Sequence, residues 1–185
     1  IDEILLSYYN IKPDLIENSE YISEEAIKVF VDKIEDENIK VLVIMSPTGT
    51  GKTTVINIII DNFIKINPDA KILSIVTRRS MSACHITAFN KKDSKVLFTS
   101  YLDEKYETLD YFISSLENLI KVDETYDFII LDEINSLINY FYSSTLQNKR
   151  LQCITVSLQL ILCSNMVIAV DANITDLVFT LFSQL

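Results

Sequence analysis

The chain has 185 residues, of which 49% are hydrophobic and 23% charged, and its formal net charge is −10. This length and composition fit one globular domain and exclude a disordered or low-complexity chain. The acidic balance excludes attraction to a polyanion by bulk charge, so any contact with nucleic acid must use a local basic patch. The most apolar stretch, residues 158–170, is interrupted by polar residues and is too short to span a bilayer, so no membrane segment is predicted.

The ends of the chain and its cysteines bear on its extent and on its cellular compartment. The sequence begins with Ile1 rather than Met and ends in an apolar stretch, so we interpret it as a piece of a longer protein. Residues 1–21 are treated as an N-terminal segment of uncertain structure, and residues 22–185 as one domain. The three cysteines have no metal-ligand spacing, and an odd number without a signal peptide favours a reducing, intracellular compartment over secretion.

Apolar patterning predicts alternating helices and strands. A helix over residues 22–37 has Ser23 as its N-cap, a buried strand follows at 41–45, and a second helix covers 53–64. Further short strands are predicted at 71–76, 95–98, 127–131 and 166–170. Alternating strands and helices predict an α/β domain with a mostly parallel central sheet and helices on both faces.

Three more helices are predicted between these strands. Ser80 can cap one that runs to Phe89, and a long apolar helix covers 146–163. Between them, one apolar stripe at helical spacing consists of Leu109, Phe112, Ile113, Leu116, Leu119 and Ile120.

Both glycines of the chain lie in one short stretch, SPTGTGKTT, between a predicted strand and a predicted helix. This is the context of a phosphate-binding P-loop, in which glycines let main-chain N–H groups approach phosphates. Lys52 would reach the β- and γ-phosphates of ATP, and the Thr53 hydroxyl would ligate Mg²⁺. The residues predicted to bind the nucleotide are Ser46, Pro47, Thr48, Gly49, Thr50, Gly51, Lys52, Thr53 and Thr54.

One departure from the strict motif and one alternative reading remain open. The strict pattern has Gly where this chain has Ser46, and a G-x-G-K-T sequence can also occur by chance in a surface turn.

A second motif, YDFIILDEI, distinguishes among P-loop proteins. A buried strand delivers two adjacent acids, which predicts Asp132 as a ligand of Mg²⁺ and Glu133 as the group that polarises the attacking water. A nucleotide kinase has no need of the second acid, because its acceptor is not water. The acids could instead be plain helix caps, a reading that the preceding P-loop disfavours.

Together these motifs resemble the first RecA-like domain of a superfamily-2 helicase, a group in which the first glycine of the loop is commonly a small residue. Within that group the chain most resembles the herpesvirus-type replication origin-binding proteins of large DNA viruses. The narrower resemblance rests on TRRSMS from Thr77, FTSY from Phe98, LDEINSLINYFYSST from Leu131 and VIAVDANIT from Val167.

The resemblance implies roles for further residues. It assigns Thr77, Arg78, Arg79 and Ser100 to contacts with the DNA backbone, although the arginines could instead be solvated or paired with acids. It also assigns Asp171, Ala172 and Asn173 to a motif that couples hydrolysis to movement. Asn173 replaces the usual threonine, and the alternative there is a simple Asx-turn.

The function implied by the resemblance is that of an ATP-dependent DNA helicase involved in viral replication, in the host cytoplasm or nucleus. It implies ATP and Mg²⁺ as cofactors, with single-stranded DNA and a second RecA-like domain of the same chain as partners. Because that second domain supplies an arginine to the site, we expect this piece alone to hydrolyse ATP poorly. The alternatives are an AAA+-like or regulatory ATPase that acts on protein, and a nucleotide kinase. The lone histidine, His85, is interpreted as a helix residue rather than a catalyst.

Overall fold

A computed structural model of the protein describes residues 13–36, 38–91, 96–103 and 109–183. The strands are β1 (Val41–Met45), β2 (Ile72–Val76), β3 (Thr99–Ser100), β4 (Tyr111–Ser115), β5 (Phe128–Asp132) and β6 (Met166–Asp171). The helices are α1 (Glu24–Ile34), α2 (Lys52–Ile66), α3 (Arg79–Phe89), α4 (Ile134–Tyr140), α5 (Arg150–Cys163) and α6 (Asp176–Phe182). Short 3₁₀ turns cover Leu119–Lys121 and Ser144–Leu146.

The strands that the described residues form make one sheet in the order β1-β6-β5-β2-β4-β3, and its pairings are parallel. Parallel strands have their carboxyl ends at one edge, so the loops that follow β1, β2, β5 and β6 emerge together. Ligands of open α/β sheets bind at this edge. The topology therefore gathers the polar motifs of the sequence on one side of the domain.

Alternate residues of the central strands pack against different helices. On one face, Ile72, Phe128 and Ile168 belong to an apolar cluster that also contains residues of α2 and α3. On the other face, Leu73 and Ile129 belong to a cluster with residues of α4, α5 and α6. The sheet is thus the middle of three layers, which confirms the predicted α/β architecture with helices on both faces.

Several local predictions are confirmed. Strand β1 has the predicted bounds, and α2 begins one residue before the predicted helix. Helix α1 is capped by Ser23, whose hydroxyl accepts the N–H of Ala26 at 3.1 Å.

The predicted helix with the apolar stripe from Leu109 to Ile120 is wrong. Residues 111–115 form strand β4, which lies between β2 and β3 and is followed by a 3₁₀ turn. A strand covered on both faces shows no period-2 alternation, so its apolar residues also match a helical spacing. The aromatic and β-branched run Tyr111–Ile113 favours the extended form that the sheet selects.

Three other predictions need correction. The strand expected at 95–98 lies instead at Thr99–Ser100, and residues 92–95 are outside the described residues. Ser80 is inside α3 rather than at its cap, because the helix begins at Arg79 with Arg78 as N-cap. The apolar helix expected from residue 146 begins at Arg150, after a 3₁₀ turn.

The residues that precede α1 contact the glycine loop and α1 itself. The N–H of Ile22 donates to the carbonyl of Thr50 at 3.0 Å, and Asp14 forms an ion pair with Lys33 of α1 at 3.4 Å. Residues 1–12 lie outside the described part of the chain. Among the residues that are described, none of the helices combines the length and apolarity needed to cross a membrane.

Candidate nucleotide-binding site

The glycine loop between β1 and α2 contains two residues with positive φ angles. Gly49 and Gly51 have φ angles of +87° and +93°, in a region that residues with a side chain rarely adopt. A Cβ added to either glycine would meet nothing within 4 Å, so the backbone conformation and not crowding requires glycine here. The open space beside the loop lets a ligand approach its main-chain N–H groups.

Two hydroxyls hold this loop together. The Thr50 hydroxyl donates to the carbonyl of Pro47 at 2.9 Å, and the Ser46 and Thr50 hydroxyl oxygens are 2.6 Å apart. Because the Thr50 proton is used by Pro47, Ser46 is the donor of this second bond. Ser46 therefore ties the two ends of the loop together at the position where the strict P-loop pattern has glycine.

Lys52 folds back over the loop at the start of α2. Its Nζ donates to the carbonyls of Ser46 and Pro47, each at 2.7 Å. The N-cap residue of α2, Gly51, has no side chain to offer to the N–H groups of the first turn. These N–H groups and the helix dipole attract anions, and the ammonium group adds a full positive charge beside them. Thr48, Thr53 and Thr54 are exposed around this opening.

The acid pair lies at the same edge of the sheet as the glycine loop. Met45 of β1 is in register with Asp171 of β6, and Val170 of β6 is in register with Asp132 of β5. Only β6 separates β1 from β5, so the ends of these strands are about 10 Å apart at normal strand spacing. The arrangement in which Lys52 and Asp132 would lie at opposite ends of the sheet is therefore excluded.

Asp132 and Glu133 have different environments. The Asp132 side chain is 15% exposed, with Oδ1 accepting the N–H of Glu133 at 3.0 Å and Oδ2 lying 3.1 Å from His85 Nε2. Glu133 is exposed, and it is the single non-glycine residue with positive φ (+54°) in the described ranges. The left-handed conformation costs a residue with a side chain about 1–2 kcal/mol, and such strain clusters at functional sites.

A hydrogen-bond network joins this turn to the loop after β6, and Asn135 is its centre. Asp171 Oδ2 accepts the N–H of Asn135 at 2.9 Å, while the Asn135 amide donates to the carbonyl of Asn173. The Thr175 hydroxyl donates to Asn135 Oδ1 at 2.8 Å. Asp171 Oδ1 also accepts the N–H groups of Ala172 and Asn173, which forms the Asx-turn that the sequence left open as the alternative to a coupling motif.

Neither the role of Asn135 nor the contact of His85 with Asp132 was predicted from the sequence. Asn135 is the fourth residue of DEIN, and its place two residues after Glu133 was the available signal. His85 lies on α3 and is 47 positions from Asp132, so only the sheet order brings them together.

The arginine pair lies where β2 passes into α3. Arg78 and Arg79 are exposed, and neither forms an ion pair with any acid in the described part of the chain. The structure thus removes one alternative to DNA contact, in which the arginines pair with acids. The other alternative, in which they are solvated, remains. Burial raises the pKa of the nearby Tyr101 phenol, and the Arg79 guanidinium acts in the opposite direction. The Thr77 hydroxyl is buried and has no partner among the described residues.

The structure places Ser100 differently from the expected surface contact. Its side chain is only 2% exposed, and its hydroxyl oxygen lies 2.7 Å from that of Ser82 on α3. It also accepts the N–H of Leu102 at 3.2 Å. In this structure the hydroxyl joins β3 to α3 and is not presented to a phosphate.

The donor set at this edge fits Mg²⁺ bound together with a nucleotide. In the described residues, no three His, Cys, Asp or Glu side chains are clustered as in an all-protein metal site. Mg²⁺ is usually held by one or two carboxylates together with substrate phosphates and waters, rather than by an all-protein cage. The Asp132 carboxylate and the exposed Thr53 hydroxyl are ligands of the appropriate type.

Solved structures with the same architecture define the class of fold. The SWI2/SNF2 ATPase core of Sulfolobus solfataricus, solved with double-stranded DNA, aligns with a TM-score of 0.61 at 17% identity, covering 88% of this chain and 35% of that one. A hypothetical ATP-dependent RNA helicase from Sulfolobus tokodaii aligns with a TM-score of 0.57 at 14% identity, covering 88% and 54%. The chain therefore has the fold of a RecA-like helicase core domain.

Sequence comparison identifies the family. The model of the family described as origin of replication binding protein matches residues 17–185, and the chain belongs to this family. The putative replication origin-binding protein of Acanthamoeba polyphaga mimivirus is 32% identical over 137 residues, which are 67% of this chain and 16% of the relative. The replication origin-binding protein of human herpesvirus 7 is 30% identical over 166 residues, 89% of this chain and 20% of the relative. The chain thus spans a fifth or less of the length of these curated relatives.

Proposed function

We propose that this chain is the MgATP-binding domain of a viral replication origin-binding protein that couples ATP hydrolysis to movement on DNA or its unwinding. The observation that carries the proposal is the loop around Gly49 and Gly51, both of which have positive φ angles. The first turn of α2 and the Lys52 ammonium group border the open space beside this loop. The names of the relatives support the DNA-binding part of the proposal.

In this proposal the loop residues 46–54 bind the phosphates through main-chain N–H groups. Lys52 exchanges the carbonyls of Ser46 and Pro47 for the β- and γ-phosphate oxygens, which are stronger acceptors because they are charged. Thr53 and Asp132 hold Mg²⁺, which when bound neutralises charge on the phosphates.

Glu133 is the proposed catalytic carboxylate. It directly follows the metal ligand, is exposed, and is held in a left-handed turn by the start of α4, where the N–H of Leu137 donates to its carbonyl at 3.1 Å. This position suits a group that orients a water molecule and accepts its proton during attack on the γ-phosphate. Completion of the site by an arginine from a second RecA-like domain remains part of the proposal.

The DNA contacts proposed here involve Thr77, Arg78 and Arg79. Two exposed arginines beside a helix N-terminus offer charge-assisted hydrogen bonds to phosphates even though the domain is acidic overall. Ser100 supports them indirectly, because its hydroxyl holds Ser82 on the same helix.

The loop with Asp171, Ala172 and Asn173 is the proposed coupling segment. Through Asn135 it is bonded to the turn that carries Glu133, so a change at either one displaces the other. The Asn173 main-chain carbonyl makes this contact.

The test is ATP turnover by the natural full-length protein with and without single-stranded DNA. We expect DNA-stimulated phosphate release that Glu133→Gln abolishes while nucleotide affinity is retained. An ATPase that acts on protein would show no stimulation by DNA, and a nucleotide kinase would transfer phosphate to a small acceptor rather than to water. Either result would refute the helicase assignment.

A further inference from the structure

His85 makes two polar contacts from one buried ring. It lies in the second turn of α3 and is 3% exposed. Its Nε2 is 3.1 Å from Asp132 Oδ2, and its Nδ1 is 2.9 Å from the hydroxyl oxygen of Ser74 on β2. The ring also packs on Phe89, with 4.8 Å between the ring centroids.

The acceptor chemistry of Asp132 fixes the direction of these hydrogen bonds. An ionised carboxylate can only accept, so the proton of the His85–Asp132 bond is on Nε2. In a neutral imidazole the other nitrogen is then an acceptor, and Ser74 must donate its hydroxyl proton to Nδ1. Ser74 is fully buried in the central strand β2, so the donor that orients the ring is rigid.

We propose that His85 is a positioning residue that orients the Asp132 carboxylate for Mg²⁺. The inference rests on the proposed function, in which Asp132 holds the ion of a bound nucleotide. His85 fixes one carboxylate oxygen and the N–H of Glu133 fixes the other, and the hydrogen bonds among the described residues leave a further lone pair on each oxygen for the ion. Carboxylate ligands of metals are commonly held by such outer hydrogen bonds, whose loss costs about 10–100-fold in metal affinity or activity.

The same three residue types also occur in nucleophilic triads, but here the burial excludes that role. In a triad the serine oxygen must reach a substrate carbonyl. Ser74 has no exposed surface, lying mid-strand beneath α3, so no substrate can approach it. The hydrogen bonds from Ser74 to His85 and from His85 to Asp132 therefore orient Asp132, which is the most exposed of the three residues.

Helix α3 gives the contact a wider context. The helix begins at the exposed arginine pair and carries both Ser82, which bonds to Ser100, and His85, which bonds to Asp132. The proposed DNA contact and the proposed metal ligand are thus joined by one helix of 11 residues.

The experiment measures binding of a fluorescent ATP analogue by the 185-residue chain as MgCl₂ is added, and separately in EDTA. His85→Phe keeps a ring against Phe89 but removes both nitrogens, and His85→Gln retains a donor near the position of Nε2. Thr87→Ala, an exposed residue of the same helix, is the matched control. Thermal unfolding is measured for each variant.

We expect His85→Phe to raise the Mg²⁺ concentration for half-maximal nucleotide binding by about 10–100-fold, with metal-free nucleotide affinity unchanged. His85→Gln should recover most of the loss, and Thr87→Ala should match the unsubstituted chain. If His85→Phe does not fold, Ser74→Ala replaces it and should shift the Mg²⁺ midpoint in the same direction.

Two results would overturn the inference while leaving the proposed function intact: an unchanged Mg²⁺ midpoint in His85→Phe, or equal losses with and without metal, which would indicate a purely structural histidine. Failure of the unsubstituted chain to bind the analogue in any Mg²⁺ concentration would instead refute the nucleotide site, and the inference with it.

Discussion

Replacing Gly51 with alanine tests the glycine loop through backbone conformation alone. The residue has a φ angle of +93°, and an added Cβ would meet nothing within 4 Å, so the substitution adds strain without a clash. The left-handed conformation costs an L-residue about 1–2 kcal/mol. For a chain of 185 residues, each kcal/mol lowers Tm by about 2–4 °C, which predicts a loss of about 2–8 °C.

Nucleotide affinity provides the second readout of Gly51→Ala. If the loop relaxes to relieve the strain, Tm recovers, but main-chain N–H groups move away from the phosphates. The loss of one hydrogen bond to a charged group then lowers nucleotide affinity about tenfold or more. Calorimetric unfolding and titration with MgATP measure the two effects, and Asp61→Ala, exposed in the middle of α2, is the control. A Gly51→Ala chain with unchanged Tm and unchanged affinity would refute the reasoning.

Three further predictions concern the neighbouring loops. Glu133→Asn should raise Tm by about 2–4 °C, because asparagine tolerates the positive φ that glutamate adopts here. The same variant should stop turnover in the full-length protein. Glu133→Gln should also stop turnover, but without raising Tm. Replacing Arg78 and Arg79 with alanine should weaken binding of single-stranded DNA while nucleotide affinity is kept. The slope of log affinity against log salt concentration should become shallower by about 1.4, because each of the two lost phosphate contacts contributes about 0.7. An unchanged slope would argue against backbone contacts. Asn135→Ala should remove DNA stimulation of turnover while leaving nucleotide affinity intact, because it cuts the side-chain bonds to Asn173 and Thr175; retained stimulation would exclude this coupling route.

The glycine loop and the acid pair could be located in the sequence because the residues of each are neighbours in the chain. The glycines, Lys52 and Thr53 are adjacent in sequence, and Asp132 directly follows a strand whose apolar run is unmistakable. Their common location at one sheet edge then follows from parallel topology.

Features that depend on the third dimension were not predictable from local pattern. Strand β4 is covered on both faces, so it lacks the alternation that distinguishes a strand from a helix. The contact of His85 with Asp132 requires β2 to lie beside β5, and the contact of Asn135 with Asp171 requires β5 to lie beside β6. Ser100 was expected to contact the DNA backbone, but its hydroxyl is buried against that of Ser82.

The measurement that tests the central claim most directly is calorimetric titration of MgATP into this chain and into its Lys52→Ala variant. The account predicts saturable binding by the unsubstituted chain, and a loss of at least about tenfold in the variant, because Lys52 supplies a charge-assisted hydrogen bond to the phosphates. Absence of binding, or equal affinity in the two chains, would contradict it.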